Sequence, residues 1–336
     1  MNRFKRFVLW VLLLVFIAMA GVSAAFWYWA SNPVALSAER VDYQVEMGSR
    51  PRSVARAMRN AGIDMNVDAF VLLARLTGRD TQIKAGAYEA VRGDTPSVLL
   101  QRMANGDMTQ TSLVLIEGWS YRRIRQALRE NPNIKQTLGD VTDAQLLTRL
   151  GSAYGSPEGL FYPDTYVFVP GTTDYDILRR AYLAEEKLLA SLWEQRAPNL
   201  PVQSPYEALI LASIIEKETG DGADRARVAG VFVNRLRLGM PLQTDPTVIY
   251  GMGDAYQGRI RKKDLTTDTP WNTYTRSGLP PTPIASSGKA SLYAALHPEQ
   301  HKYLYFVSRG DGTSEFSESL DSHNRAVSKY ILGQRK

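Results

Sequence analysis

The sequence predicts an α+β protein with an N-terminal transmembrane helix, a small βααβ unit and a larger mixed α+β region after it. Three observations predict this class. The N-terminus carries an uncharged apolar segment. Short strand-like and helix-like segments then alternate, with glycines at their ends. The apolar content of 44% is enough for buried cores in a chain of 336 residues.

The first 30 residues predict a membrane anchor. Residues 7–30 contain no charged side chain, and a helix of that length reaches about 36 Å, enough to span a bilayer. Basic residues precede this segment and the next one is Arg40, so the positive-inside rule puts the N-terminus in the cytoplasm. The alternative is a cleaved signal peptide, because VSA at 22–24 has the spacing of a cleavage site. The aromatic residues at 27–29 favour a retained anchor.

After the anchor, the sequence predicts a linker at residues 31–40 followed by two exported domains. VDYQVEMG alternates apolar and polar residues as a half-buried strand does, and two helices and a second strand follow. This βααβ unit and one further helix occupy residues 41–108. Residues 109–336 form the larger domain, with a long helix at about 175–195, an apolar helix at about 206–219, and a hairpin and short helix near the C-terminus.

Composition and motifs argue against several classes of catalytic and binding site. The chain has no cysteine, which excludes thiol nucleophiles, disulfides and cysteine-ligated metals. The zinc-binding helix of a metalloprotease has Glu directly after its first histidine, whereas His297 is followed by Pro298. We therefore expect no metal and no cofactor. Ser286 stands three residues before Lys289, as in penicillin-binding transpeptidases, but the companion motifs are absent. The net charge of +6 is spread along the chain, and we expect no nucleic-acid partner.

Two glutamates close the apolar segment LASIIEKET at residues 211–219. At about 100° per residue, Glu216 and Glu218 lie about 200° apart around a helix, so they do not flank one bond as a cooperating pair. Glu218 shares a helix face with Leu211 and Ile214, whereas Glu216 shares a face with smaller residues. A carboxyl held against an apolar surface has a raised pKa and suits general acid catalysis. The alternative is that both glutamates are solvated at a helix end.

Several motifs together resemble the endolytic murein transglycosylases of the YceG-like (MltG) family. They follow one another over nearly the whole exported part: EGLFYPDTYVF at 158–168, LASIIEKET at 211–219, VFVNRLRLGMPLQTDPTVIYG at 231–251, NTYTRSGLPPTPI at 272–284, YLYFV at 303–307 and HNRAV at 323–327. LQTDPTVIYG together with EKET is the most specific part of the match.

The resemblance implies an enzyme that cleaves the bond between N-acetylmuramic acid (MurNAc) and N-acetylglucosamine (GlcNAc) in nascent peptidoglycan strands. It implies a 1,6-anhydro-MurNAc end and one catalytic acid–base, the second Glu of EKET, which falls on Glu218. It also implies that residues 41–108 are a LysM-like domain. The implied location is the bacterial inner membrane, with a single span and a periplasmic body, and the implied partners are glycan strands and peptidoglycan synthases of the penicillin-binding type.

Other polar residues of these motifs are weaker candidates for contact with sugar or stem peptide. They are Gln243, Asp245, Tyr250, Asn272 and Tyr274. Each also has a structural interpretation, since Asp before Pro suits a turn and Asn caps loops. Glu158, Asp164 and Glu117 rank lower. Two other functions stay open at this point: a non-catalytic peptidoglycan-binding scaffold, and a hydrolase of the same bond.

Overall fold

A computed structural model describes residues 3–220 and 222–333 of the chain. These residues divide into two compact units: unit 1 runs up to Thr111 and includes Val167–Gly171, and unit 2 comprises Ser112–Tyr166 and the chain from Thr172 onward. The helices are α1 (Arg3–Ser31), α2 (Pro51–Asn60), α3 (Val67–Leu76), α4 (Pro96–Asn105), α5 (Tyr121–Glu130), α6 (Asp143–Leu150), α7 (Asp174–Glu194), α8 (Pro205–Glu218), α9 (Arg225–Arg237), α10 (Asp245–Met252), α11 (Lys262–Thr266), α12 (Lys289–Leu296) and α13 (Leu320–Val327). The strands are β1 (Arg40–Val45), β2 (Gly86–Val91), β3 (Thr111–Val114), β4 (Thr165–Phe168), β5 (Tyr305–Ser308) and β6 (Ser314–Ser317), paired as β1–β2, β3–β4 and β5–β6.

Unit 1 is built on the antiparallel pair β1–β2, with α2, α3 and α4 packed around it. Alternate residues of β1 are buried, as the sequence pattern predicts. Tyr43 lies opposite Tyr88, and their rings stack with centroids 5.9 Å apart in the core. Local caps delimit the helices: Asn66 accepts a hydrogen bond from the first turn of α3, and Gly106 ends α4 with a φ of 82°.

The segment predicted as a linker, residues 31–40, belongs to unit 1 in the structure. Val34 and Leu36 pack against the unit 1 core, and the Val34 N–H donates to the carbonyl of Asp94 at 2.9 Å. Ala30, at the end of α1, is fully buried in the same core. The sequence did not reveal this packing because the partners of the segment lie far along the chain.

Helix α1 is long and apolar enough to cross a bilayer. Its candidate span is Lys5–Ser31, with a mean hydropathy of 2.6, and the apolar side chains of residues 7–17 are exposed to solvent. Water-exposed apolar surface of this extent is unfavourable in a soluble protein and suits contact with lipid.

Helix α8 forms the centre of unit 2. Ser204 caps its N-terminus by accepting from the Glu207 N–H, and Pro205 occupies its first turn. Every residue from Ala208 to Ile215 is buried, and the helix packs against α7, α9, α10 and α12. The middle of α8 is therefore enclosed on all sides, so the face that Glu216 shares with smaller residues is buried as well as the face of Glu218.

The C-terminal part of unit 2 contains the expected hairpin. Strands β5 and β6 are antiparallel, with Phe306 opposite Phe316. The hairpin packs against α9 and α13. Phe306 also meets Phe232 of α9 edge to face at 6.0 Å, which anchors the hairpin on the helical core.

Glu185 of α7 is a buried acid outside the predicted site. Its side chain is 2% exposed, and neither carboxyl oxygen has a hydrogen-bond partner among the described residues. Burial raises the pKa of Glu185 to about 8. Between pH 4.5 and 8 the unfolded chain therefore releases a proton that the folded chain retains, so the free energy of unfolding falls as pH rises through this window.

We expect Glu185→Met to raise the melting temperature, because it removes the cost of keeping this acid neutral. The gain should be on the order of a few kcal/mol at pH 8 and above, and small at pH 5. Thermal unfolding of the full chain in detergent at pH 5, 7 and 9 measures it. Glu194→Met, at an exposed position of the same helix, is the matched control. An equal gain at pH 5 and pH 9 would mean that packing, not ionisation, is responsible.

Candidate active site

Glu218 is the last residue of α8 and lies where this buried helix reaches a cavity. Its side chain is half-buried, and its Oε1 accepts a hydrogen bond from the Thr244 hydroxyl. Burial raises the pKa of Glu218; the Thr244 hydrogen bond opposes the rise, the nearby Asp245 adds to it, and Arg235 opposes it. The net effect favours the protonated acid more than in water.

Glu216 binds a different part of the unit. Its Oε2 accepts from the backbone N–H of Gly288 at 3.0 Å, just before α12 begins. A carboxylate at this position satisfies a free N–H at the start of the helix and interacts favourably with the helix dipole. The two glutamates therefore contact different elements, and Glu216 has a structural partner.

The cavity beside Glu218 has a volume of about 400 Å³. Three of the residues predicted to contact substrate line it, namely Gln243, Asp245 and Tyr274. The Tyr274 hydroxyl donates to Asp245 Oδ1 at 2.6 Å. Gln243 has a φ of 50°, which is unusual for a residue other than glycine, and its side chain is exposed. Polar groups from three segments thus converge on the carboxyl of Glu218.

Asn272 does not line this cavity. Its side chain is 1% exposed, and its Nδ2 donates to the carbonyls of Asp264, Leu265 and Thr267. Its Oδ1 accepts from the N–H of Tyr274 at 2.9 Å. These contacts match the structural interpretation, in which Asn272 organises the loop that presents Tyr274.

Tyr250 belongs to a second cavity, of about 450 Å³. Its hydroxyl donates to Glu158 Oε2 at 3.1 Å, and Glu158 Oε1 accepts from the N–H of Tyr121 at 2.9 Å. Glu158 is 5% exposed, and burial raises its pKa to about 7 against the lowering effect of these hydrogen bonds. The sequence grouped Tyr250 with Gln243 and Asp245, but the structure places it with Glu158.

Residues that the sequence did not single out complete the first cavity. Arg235, Tyr305 and His323 line it together with Glu218. The Arg235 guanidinium lies 5.1 Å from the centroid of the Tyr305 ring, and the His323 ring stacks on Tyr305 at 5.3 Å. Burial and the charge of Arg235 lower the pKa of His323. A charged residue among the apolar positions of VFVNRLR was the available signal for Arg235.

Arg235 also holds the loop before α10. Its side chain is 8% exposed, its Nε donates to the Leu304 carbonyl at 2.7 Å, and its Nη1 donates to the carbonyls of Pro241 and Leu242 at 3.2 and 2.9 Å. A guanidinium keeps its charge in such surroundings and offers several donors in fixed directions.

Ser286, the residue of the serine alternative, is 1% exposed, and its backbone pairs with Gly118 and Trp119. A nucleophile must reach its substrate, so this burial does not suit acyl transfer. Within residues 3–220 and 222–333 there is also no cluster of three acidic or histidine side chains able to hold a metal ion.

The chain belongs to the YceG-like family, whose model matches residues 43–329. Among its relatives is an endolytic murein transglycosylase of Bacillus subtilis (strain 168), 30% identical over 88% of this chain and 86% of the relative. An endolytic murein transglycosylase of Streptococcus pneumoniae (strain D39) is 24% identical over 98% of this chain and 66% of the relative. A crystal structure of a YceG-like protein from Listeria monocytogenes superposes with a TM-score of 0.55 and 30% identity, covering 85% of this chain and 98% of that one.

These comparisons confirm the predicted family and the predicted enzyme class. They also confirm the mixed α+β class, whereas the LysM-like nature of unit 1 stays a prediction.

We expect Arg235→Met to destabilise the protein by roughly 3 kcal/mol or more, because it leaves buried carbonyls without donors. Arg235→Lys should recover only part of this loss, since an ammonium cannot reproduce the fork of donors. Arg237→Met is the matched control: Arg237 lies on the same helix, is exposed and bonds the Asn199 carbonyl at 3.0 Å. Thermal or denaturant unfolding measures all three. Equal small effects at both positions would contradict the assigned role of Arg235.

Proposed function

We propose that the chain is a membrane-anchored endolytic transglycosylase that cleaves the MurNAc–GlcNAc bond of nascent peptidoglycan and leaves a 1,6-anhydro-MurNAc end. The relatives named endolytic murein transglycosylases support the general activity. The observation that carries the proposal is Glu218, a half-buried carboxyl with a raised pKa that lies in a cavity lined by polar side chains. Such a group suits general acid catalysis.

One carboxyl is sufficient for this reaction. Protonated Glu218 donates its proton to the glycosidic oxygen as the bond from that oxygen to the anomeric carbon breaks. The C6 hydroxyl of the same muramic residue then attacks the anomeric carbon, and the Glu218 carboxylate takes the hydroxyl proton. The product carries an internal 1,6-anhydro bridge, an acetal between C1 and O6, no water is consumed, and Glu218 returns to its protonated form.

Thr244 has a defined part in this cycle. Its hydroxyl donates to Glu218 Oε1, and its own side chain is 2% exposed. A hydrogen bond to an ionised acceptor is stronger than one to a neutral acceptor, so Thr244 stabilises the carboxylate formed after proton transfer. Gln243, Asp245 and Tyr274 are proposed to hydrogen-bond the sugar around Glu218.

The proposed location rests on α1. We assign residues 1–30 to the cytoplasmic tip and a single span of the bacterial inner membrane, with the body in the periplasm, in agreement with the basic residues that precede the span. Residues 41–108 are proposed to be LysM-like and to bind GlcNAc-containing strands, which the order β1, α2, α3, β2 supports. Residues 109–336 are proposed to be catalytic. Peptidoglycan synthases of the penicillin-binding type are proposed partners.

Glu218→Gln should abolish the release of anhydro-ended fragments from purified sacculi, because the amide cannot donate or take the proton. Glu216→Gln is the matched control two residues away. It keeps an oxygen to accept from Gly288 and should retain most of the activity. Mass spectrometry of the released muropeptides measures both variants in the full detergent-solubilised chain.

The products also separate the alternative functions. A hydrolase yields reducing ends, heavier than anhydro ends by one water. A non-catalytic scaffold releases nothing, even as wild type. Anhydro ends from Glu218→Gln protein would show that another residue is the acid–base.

Thr244→Val should shift the alkaline limb of the pH–activity profile to higher pH. The hydroxyl lowers the pKa of Glu218, so its loss raises that pKa, and Glu218 then stays protonated at higher pH. The rate at the optimum should fall by about tenfold, because the carboxylate loses its donor. Thr266→Val, at an exposed position, is the control. A limb that moves to lower pH, or does not move, would contradict the assigned role of Thr244.

A further inference from the structure

The second cavity of unit 2 is built around the carboxyl of Glu158. By accepting from the Tyr121 N–H and the Tyr250 hydroxyl, Glu158 joins the start of α5 to α10. Tyr250 meets Trp271 edge to face at 5.4 Å, and Trp271 Nε1 donates to the Thr282 hydroxyl at 2.9 Å. The wall of the cavity is therefore fixed by hydrogen bonds and ring contacts within the protein.

This cavity adjoins the one that contains Glu218. Lys217 lines the second cavity, and Glu218, the next residue, lines the first. At the start of α10, Asp245 lines the first cavity and Pro246 lines the second. A polymer whose scissile bond lies at Glu218 can thus place a neighbouring group in the second cavity.

The polar lining of the second cavity includes two cations. Lys217 is exposed, and its Nζ donates to the Gly118 carbonyl at 3.3 Å. Arg122 pairs with Asp254, and both side chains are mostly exposed, at 68% and 89%. Exposed pairs of this kind contribute little free energy, so Arg122 can exchange Asp254 for another anion at low cost. The oxygens of Glu158 already accept hydrogen bonds from the protein.

Neutral sugar hydroxyls carry no charge that would pair with Lys217 and Arg122. The proposed substrate supplies an anion, because muramic residues carry peptides on their lactyl groups and these peptides have free carboxylates. The aromatic wall formed by Tyr250, Tyr256 and Trp271 offers apolar surface to the methyl groups of such a peptide.

We propose that the second cavity binds the anionic peptide of a muramoyl residue next to the scissile bond, with Lys217 and Arg122 pairing its carboxylates. The inference rests on the proposed function and adds specificity to it: the enzyme prefers peptide-bearing strands over bare glycan. Arg235 does not line the second cavity, and its Nε and Nη1 already donate to backbone carbonyls.

The test compares glycan strands that carry stem peptides with the same strands stripped by an N-acetylmuramoyl-L-alanine amidase. Lys217→Met and Arg122→Gln should each raise KM for peptide-bearing strands by about tenfold, the effect of losing one charge-assisted hydrogen bond. Neither should change KM for stripped strands by more than about twofold, or alter kcat. Lys187→Met, exposed on α7 and outside both cavities, is the control and should behave as wild type.

Equal losses on both kinds of strand would overturn the proposal, because the cations would then act on the sugar or the fold. Unchanged KM for peptide-bearing strands would overturn it as well. Binding to a Glu218→Gln chain is measured in parallel by calorimetry, and preference for peptide-bearing strands there tests the cavity without catalysis. A third outcome is that wild type forms no anhydro ends but still prefers peptide-bearing strands, and that Lys217→Met removes this preference. In that case the proposed reaction is wrong, whereas the peptide site stands.

Discussion

Arg235 fixes the two segments between which the proposed catalytic cavity lies. Its guanidinium donates to the carbonyl of Leu242, in the loop before α10, and to the carbonyl of Leu304, before β5. Because the side chain is buried, a lost bond leaves a carbonyl unsatisfied in a medium of low dielectric constant. The loop then carries Thr244 to the carboxyl of Glu218. The same guanidinium lowers the pKa of Glu218, so one side chain acts on both the fold and the charge of the site.

Glu158 and Glu218, two carboxyls of unit 2 whose pKa values are raised, are held in different ways. Glu158 accepts hydrogen bonds at both oxygens and has a pKa of about 7 in a wall that the protein itself completes. Glu218 accepts from Thr244 at Oε1, and no donor to Oε2 occurs among the described residues. A carboxyl satisfied at both oxygens suits a structural junction. One with an available oxygen beside a cavity suits proton transfer to a ligand.

Local signals in the sequence were enough to locate the elements that carry the site. The apolar run after the loop predicts a helix at about 206–219, and α8 is Pro205–Glu218. The contact between Glu218 and Thr244 was not predictable, because it joins segments 26 residues apart through tertiary packing. The structural role of Asn272 likewise depends on carbonyls of a loop whose path the sequence does not specify.

The separation of Tyr250 from Asp245 could have been anticipated. Five residues along a helix correspond to a rotation of about 140°, so the two side chains of α10 point to different sides. In α8 the same periodicity separates Glu216 from Glu218, but both faces of its middle, Ala208–Ile215, are buried, so burial of the helix alone does not distinguish the two glutamates.

A single acid–base must be stable enough in both protonation states within one catalytic cycle. Two-carboxylate glycosidases divide the roles between an acid with a raised pKa and a partner that stays ionised. Around Glu218, burial and Asp245 raise the pKa while Thr244 and Arg235 lower it. Strong burial without donors, as at Glu185, would leave the acid neutral and unable to take a proton back. The opposing contacts at Glu218 therefore match a reaction in which the same carboxyl first gives a proton and then accepts one.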